Sequence, residues 1–229
     1  RREFERLNLD ENGISEYISA YCIKHVFKYS NKDAPAVEAR DKLYRIFYYD
    51  CPPVSKKAHR PVTGKAIDFA KSELAKRQNG IHEALKKRRQ VALRLGYLKD
   101  HREWIIKPKK MKELVAKKIK WEQLTDDDFK YDVKQKGVDS RISVDIASLA
   151  YKRQVDRIVL IAGDCDFVPA SKLARREGID FVLDPMGNPL DSELFEHIDG
   201  CHSVFYKMKH WKPRETNGQV KKQKSQKKP

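Results

Sequence analysis

The chain has 229 residues, a length that suffices for one substantial hydrophobic core. Its 49 Lys and Arg residues exceed its 33 Asp and Glu residues, and the formal net charge of +16 favours a polyanionic partner such as nucleic acid over a role in solubility alone. No stretch approaches the roughly 20 apolar residues of a membrane-spanning helix, and the first residues carry no apolar signal segment, so we expect neither membrane insertion nor secretion.

The first half of the sequence predicts a mixture of helices and strands. In chain order these are one or two helices in 1–29, a polar loop in 31–36, a strand in 43–49, a basic helix in 65–88 and a strand in 91–98. Asp10 to Gly13 form a predicted turn before a helix that opens near Ser15 and ends near Phe27. The strand at 91–98 is expected to pair with Trp104 to Ile106 across a polar turn.

The second half has a clearer pattern. In chain order it predicts short charged helical pieces in 109–130, a helix in 139–151, a strand in 158–162, a helix in 168–177, a strand in 179–183 and a short helix in 191–198. Apolar strands that alternate with helices indicate an α/β fold with a mostly parallel sheet covered on both faces. Residues 207–229 carry nine Lys or Arg and one Glu, which predicts a disordered basic tail, either a solvated end or an electrostatic arm for RNA.

The four cysteines, at 22, 51, 165 and 201, are widely spread and form no CxxC pair. Their spacing indicates neither a zinc site nor a disulfide framework. Reduced thiols are typical of the cytosol, so we predict a cytoplasmic protein.

Two aspartates follow the apolar strand at 158–162. Asp164 and Asp166 come at its carboxyl end, where ligands sit in open parallel sheets. They point the same way if the chain stays extended there. Asp166 has an alternative role as the cap of the next helix, which carries Pro169 in its first turn.

A second pair of carboxylates lies on the preceding helix. Asp145 falls on the apolar stripe of that helix, together with Val138, Ile142 and Leu149. A carboxylate on such a stripe is costly unless it is paired, hydrogen-bonded or bound to a metal. Asp139 begins the helix, so it is either a ligand or a favourable anion at the helix amino terminus.

Four carboxylates that converge at one sheet edge repel each other, and a divalent cation relieves that repulsion. Hard oxygen ligands select Mg²⁺ or Mn²⁺ over zinc, and such a centre can activate water against a phosphodiester. Asp50 and Asp184 also end strands and either line the same cleft or terminate the strands, with a turn favoured for Asp184 because Pro185 follows it.

Several motifs resemble the NYN domain family. The core of the resemblance lies in Gln135-Lys136-Gly137-Val138-Asp139, Asp145-Ile146-Ala147-Ser148 and Gly163-Asp164-Cys165-Asp166-Phe167-Val168-Pro169. The segments 47–53, 93–96, 172–178, 183–185 and 194–200 are similar to one bacterial subgroup of the family. Together these motifs span about residues 43–206.

The resemblance implies a PIN-like, Rossmann-like three-layer α/β/α sandwich over residues 1–206, with a basic helical insertion at about 54–130. It also implies an endoribonuclease that uses Mg²⁺ or Mn²⁺ to hydrolyse phosphodiester bonds of single-stranded or structured RNA. Asp139, Asp164 and Asp166 match acidic positions that hold the metal, and Asp145 is the candidate for a fourth catalytic carboxylate. Lys136 and the run Lys86, Lys87, Arg88 and Arg89 are expected to attract the RNA backbone.

The sequence departs from the family pattern in two places. Ala162 stands where the family usually has Ser or Thr before Gly-Asp, so the hydroxyl group at that position is missing. The family also opens with an apolar strand that ends in Asp-Gly, whereas residues 5–12 here are too polar for a buried central strand. We therefore expect a fragment that lacks this strand and its aspartate, with impaired activity.

Two other functions remain open. A non-catalytic RNA-binding or regulatory module that keeps the fold is compatible with the basic tail and with Ala162. Asp164-Cys165-Asp166 could also be the Asp-x-Asp motif of a haloacid-dehalogenase-like phosphatase, although Phe167-Val168-Pro169 follows where that motif is usually followed by Gly and Thr. The sequence does not indicate an oligomeric state.

Overall fold

A computed structural model of the chain describes residues 7–29, 42–162, 165–189, 192–208 and 211–213. The described residues form six α-helices: α1 (Glu11–Tyr29), α2 (Glu73–Lys86), α3 (Pro108–Val115), α4 (Val138–Tyr151), α5 (Val168–Arg176) and α6 (Ser192–Phe195). They also form nine strands: β1 (Ile46–Asp50), β2 (Lys57–His59), β3 (Ala66–Asp68), β4 (Val91–Leu95), β5 (Tyr97–Ile106), β6 (Phe129–Lys136), β7 (Arg157–Leu160), β8 (Asp180–Leu183) and β9 (Gly200–Cys201). Short 3-10 helices cover Phe69–Lys71, Trp121–Gln123, Asp126–Asp128, Cys165–Phe167 and Phe205–Met208.

The described strands form four small sheets. β1 pairs in parallel with β4, in a register that runs from Ile46 opposite Val91 to Asp50 opposite Leu95. β7, β8 and β9 form a second parallel sheet, whereas β2–β3 and β5–β6 are antiparallel pairs. The predicted mixed α/β fold is confirmed, but the parallel strands in the described ranges lie in two small sheets instead of one.

Two apolar clusters form the core. The first packs α4, α5 and α6 against β7 and β8, and it contains Ile142, Ile146, Leu160, Phe167, Phe181, Leu183 and Leu194. The second packs α1 against α2 and the chain near Val204, and it contains Ile14, Tyr17, Tyr21, Leu85, Val204 and Met208. Tyr48 packs against the second cluster and Tyr49 against the first, because consecutive side chains of a strand point to opposite faces. β1 is therefore covered on both faces.

The first described helix starts earlier than the sequence predicts. Asp10 to Gly13 were expected to form a turn before a helix near Ser15, yet α1 begins at Glu11. The reason is that the carboxylate of Asp10 accepts the Gly13 N–H at 2.7 Å, as an N-cap residue does. The predicted polar loop at 31–36 lies outside the described residues.

The predicted helix at 65–88 is wrong in its first third. Residues 66–68 form β3, which pairs with β2, and a 3-10 helix follows. α2 begins only after Ser72, whose hydroxyl oxygen accepts the Ala75 N–H at 3.2 Å. The helix therefore starts late because Ser72 caps it and because the chain turns at Gly64, where φ is 65°, although helix propensity favours an earlier start.

The prediction for residues 91–106 is also wrong in part. Gly96 interrupts the predicted strand, and residues 97–106 form one long strand instead of a hairpin with a turn at 99–101. Its partner is β6, which the sequence did not predict because residues 129–136 are mostly polar. The helix, strand, helix and strand predicted between 139 and 183 are all confirmed to within three residues at each end. None of the helices in the described ranges is long and apolar enough to cross a membrane.

Candidate active site

The carboxyl ends of β1 and β4 meet the start of α4 at Gly96. A Cβ atom on this glycine would lie 2.5 Å from the carbonyl oxygen of Lys136, 3.0 Å from Cγ2 of Val138 and 3.1 Å from Sγ of Cys51. The Gly96 N–H donates to the carbonyl oxygen of Asp50 at 2.8 Å. This close approach requires a residue without a Cβ atom, and it places Asp50 beside the first turn of α4.

Asp50, the last residue of β1, accepts three hydrogen bonds. Its Oδ1 accepts the Cys51 N–H at 2.8 Å, and its Oδ2 lies 2.9 Å from Nε2 of His82 and 3.2 Å from Nε2 of Gln78, both on α2. Burial acts to raise the pKa of Asp50, but the hydrogen bonds from His82, the Cys51 N–H and Gln78 outweigh it and hold this pKa below its usual value. An ionised carboxylate only accepts, so Nε2 of His82 carries the proton.

Asp139 lies in the first turn of α4 with its side chain exposed. The N-cap residue of this helix is Gly137, with φ 77°, and Asp139 sits inside the helix, where the dipole favours a negative charge. The Cys51 thiol is close to the carboxylates of Asp50 and Asp139. Burial is the main cause of its raised pKa, and the negative charges of these two aspartates raise this pKa further. Asp50 and Asp139 therefore lie at the same edge of the sheet.

Asp145 faces β1 and β4. Its Oδ2 accepts a hydrogen bond from Oη of Tyr49 at 2.8 Å and one from Nε of Arg94 at 3.1 Å. The same guanidinium lies 5.4 Å from the centroid of the Phe47 ring. The carboxylate that the sequence placed on an apolar stripe is thus paired, and it ties the middle of α4 to both strands.

The segment after β7 carries the remaining predicted ligands. Asp166 lies in the 3-10 helix Cys165–Phe167, which contacts α4, and its side chain is exposed. Phe167 belongs to the first core cluster and Val138 packs against it, so Asp166 and Asp139 are each the sequence neighbour of a residue that contacts this cluster. Phe167 is the N-cap residue of α5, so the alternative role of Asp166 as the cap of this helix is wrong. Asp164 lies outside the described residues.

The chemistry of the donors fits a hard divalent cation. The exposed carboxylates of Asp139 and Asp166 are the ligand type that Mg²⁺ and Mn²⁺ prefer. Within the described ranges, no group of three or more His, Cys, Asp or Glu side chains is arranged to hold a metal ion. The described part of the chain thus contains two of the three predicted ligands, and Asp164 is the third.

The predicted RNA-binding residues lie at opposite ends of the β1–β4 sheet. Lys136 is exposed at the end of β6, directly before α4. The run 86–89 immediately precedes β4, so it lies at the amino end of that strand, away from Asp50. Arg88 in this run donates to Oγ of Ser15 at 3.0 Å and to the Asn12 carbonyl at 3.2 Å, which connects α2 to α1.

Asp184 forms a buried network that the sequence did not predict. Its Oδ2 accepts from Oη of Tyr21 at 2.7 Å, Nε2 of His25 at 2.8 Å and the Val204 N–H at 3.2 Å. Its Oδ1 accepts the Met186 N–H at 2.7 Å, which forms the turn that the sequence favoured. The sequence around Asp184 does not indicate its contacts to α1, because Tyr21 and His25 lie 163 and 159 residues away from it in the sequence.

Comparison with known protein families identifies the family of this chain. Residues 62–192 match the NYN domain. The chain belongs to the NYN domain family. This confirms the predicted family, and it implies a nuclease or other RNA-related function.

The match to the NYN domain includes Asp139, Asp145, Asp164 and Asp166, whereas β1 with Asp50 precedes it. It is narrower than the predicted resemblance over about 43–206. No curated protein and no solved structure matches the chain.

Proposed function

We propose that this NYN domain is a cytoplasmic, metal-dependent endoribonuclease that hydrolyses phosphodiester bonds of single-stranded RNA. The observation that carries the proposal is the exposed Asp139 at the edge where β1, β4 and β6 end, beside Asp50 and close to Lys136. Carboxylates beside a lysine suit a site that binds a cation and a phosphate together.

Asp139, Asp164 and Asp166 are the proposed ligands of Mg²⁺ or Mn²⁺. When bound, such a cation supplies a water of lowered pKa and neutralises charge on the phosphodiester. Asp139 and Asp166 are exposed, so RNA can approach both carboxylates from solvent. Lys136 attracts the backbone phosphates next to the scissile bond. Asp50, which its hydrogen bonds keep ionised, adds negative charge that favours cation binding.

Asp145 has a different proposed role. Its carboxylate is engaged by Tyr49 and Arg94, so we assign it as a positioning residue that fixes α4, and with it Asp139, against the two strands. The interaction acts at a distance of about two helical turns from Asp139 along the helix.

We also propose that the domain covers residues 1–206 as a PIN-like three-layer sandwich, with an insertion at about 54–130. Support comes from β1 and from the chain at β7, where consecutive residues pack against different core clusters: Tyr48 and Tyr49, and Leu160 and Ile161. Residues 54–130 contain the β2–β3 hairpin, α2, β4, β5, α3 and the first two residues of β6, and β4 pairs with β1.

The test is cleavage of a labelled single-stranded RNA in Mn²⁺, in Mg²⁺ and in excess chelator. We expect cleavage that requires the metal and falls at least about a hundredfold in Asp139→Asn, because one charged ligand is removed without a change in size. A thermal unfolding measurement on the variant serves as the folding control. Metal-independent cleavage, or an unchanged rate in the variant, would contradict the assignment.

A non-catalytic RNA-binding module is the second candidate. Ala162, in place of the Ser or Thr usual in the family, favours it, since a hydroxyl near the proposed ligands is missing. This candidate predicts RNA binding in chelator with no cleavage in either metal. Cleavage that Asp139→Asn abolishes would rule it out.

A further inference from the structure

One face of the β5–β6 hairpin carries exposed basic and aromatic side chains. In the antiparallel register Tyr97 lies opposite Lys136, and Lys99 lies opposite Lys134. Side chains two residues apart on a strand share a face, so these four form one patch, which we name the hairpin strip. All four side chains are exposed, and Tyr97 exposes 59% of its surface.

The hairpin strip places like charges opposite each other, which is unusual in a hairpin. Lys99 and Lys134 are directly opposite, and like charges at such positions destabilise the strand pair. Two aspartates of the hairpin do have partners: Asp100 pairs with Nζ of Lys56 at 2.6 Å, and Asp132 pairs with His101. In the described ranges, none of the three lysines of the strip forms an ion pair with a carboxylate. A bound polyanion would relieve their repulsion.

The hairpin strip ends next to the candidate active site. Lys136 is the last residue of β6, and α4, which carries Asp139, begins at Val138. The Tyr97 ring is so close to the turn between them that a Cβ on Gly137 would lie 3.4 Å from its Cε1 atom. A strand of RNA on the strip would therefore pass directly to Asp139.

We propose that the hairpin strip binds single-stranded RNA on one side of the cleavage site. Lys99, Lys134 and Lys136 contact successive phosphates, and Tyr97 stacks on a base. Stacking on an exposed ring requires unpaired bases, so the strip selects single strands over duplexes. This inference rests on the proposed function, because it takes RNA as the substrate of the neighbouring carboxylates.

The experiment measures binding separately from cleavage. Fluorescence anisotropy of a labelled single-stranded RNA is followed with the full chain in excess chelator, over a series of salt concentrations. We expect Lys99→Ala/Lys134→Ala to weaken binding at least about tenfold and to reduce the salt slope by about 1.4, or about 0.7 for each phosphate that the strip no longer neutralises. The matched control, Lys109→Ala/Lys112→Ala on α3, removes the same charge from exposed positions beyond the other end of β5.

Tyr97 gives a second, independent readout. Tyr97→Ala should weaken binding about tenfold, whereas Tyr97→Phe, which keeps the ring, should bind like the unaltered chain. Ultraviolet crosslinking of bromouridine RNA to the unaltered chain should label Tyr97, and this needs no variant to fold. Equal losses of RNA affinity in the strip and control variants, or crosslinks that avoid residues 97–99 and 134–136, would contradict RNA binding by the hairpin strip.

The two proposals fail in different ways. If the chain binds RNA through the strip but cleaves none in either metal, the proposed nuclease activity fails and the strip stands. If cleavage depends on Asp139 while binding is indifferent to Tyr97, Lys99 and Lys134, the strip fails alone.

Discussion

Tyr49 and Asp145 join β1 to α4 through a hydrogen bond of 2.8 Å, although 96 residues separate them in sequence. Arg94 of β4 donates to the same carboxylate oxygen, so one side chain of the helix holds both strands of the sheet. The same helix presents Asp139 at its exposed first turn. The orientation of a proposed metal ligand therefore depends on a contact about two helical turns away.

The contact between Tyr49 and Asp145 predicts that variants of these two residues lose stability, whereas a variant of the proposed ligand Asp139 loses cleavage. Asp145→Asn and Tyr49→Phe should each lower the free energy of unfolding by about 1 kcal/mol, because each weakens the same partly exposed contact. Both should lower cleavage by a similar factor of about threefold, because each leaves α4 and Asp139 less firmly held against the two strands, while Asp139→Asn loses at least about a hundredfold. Urea unfolding and RNA cleavage, measured on the same preparations, check this. Loss of cleavage in Asp145→Asn with none in Tyr49→Phe would instead make Asp145 a ligand.

Asp184 predicts a loss of stability in acid. Burial acts to raise its pKa, but hydrogen bonds, chiefly from His25 and Tyr21, outweigh burial and lower this pKa from 3.8 to about 2. Because the pKa of Asp184 is lower in the folded state than in the unfolded state, the ionised carboxylate stabilises the fold at pH values above the unfolded-state pKa. This stabilisation of about 2 kcal/mol is lost as the pH falls from about 4 to about 2.

The measurement is the difference in unfolding free energy between the unaltered chain and Asp184→Asn at two pH values. Because the asparagine does not titrate, the difference should shrink by about 1 kcal/mol between roughly pH 6 and pH 3. A difference that is constant over this range would show that the carboxylate does not gain its stability from the buried contacts.

Gly96 predicts a steric effect on the candidate active site. Gly96→Ala places a Cβ atom 2.5 Å from the backbone oxygen of Lys136, so β4 and β6 must separate. We expect a loss of about 1–3 kcal/mol in stability and weaker RNA cleavage, since Cys51 and the start of α4 move with them. Gly200→Ala is the control, because its Cβ would meet only Cγ2 of Val182 at 3.9 Å. Equal effects of the two substitutions would contradict the close packing at Gly96.

The sequence predicted those elements whose signals are local. The helix at 139–151 was found because Ile142, Leu149 and their neighbours repeat at helical spacing, and α4 spans Val138–Tyr151. β6 was missed because only one of its faces is covered, so its sequence contains mostly polar residues. The short strands β2 and β3 were missed because three residues are too few to show a period.

The candidate site was predictable in its residue types and only partly in its contacts. An aspartate after a strand or at a helix start can be read from the sequence, which led to Asp139 and Asp166. Whether a carboxylate is exposed or paired depends on residues far along the chain, as with Asp145 and its partners on β1 and β4. The hairpin strip could not be predicted, since its two strands were not recognised as partners.

We propose above that the carboxylates after β7 and at the start of α4 form one catalytic metal site. The most direct test is Mn²⁺-dependent cleavage of single-stranded RNA by Asp164→Asn, with Asp156→Asn as the control. Asp156 is an exposed aspartate directly before β7, whereas Asp164 follows that strand in the sequence. We expect a loss of at least about a hundredfold in Asp164→Asn and an unchanged rate in Asp156→Asn. Equal cleavage by both variants would contradict it.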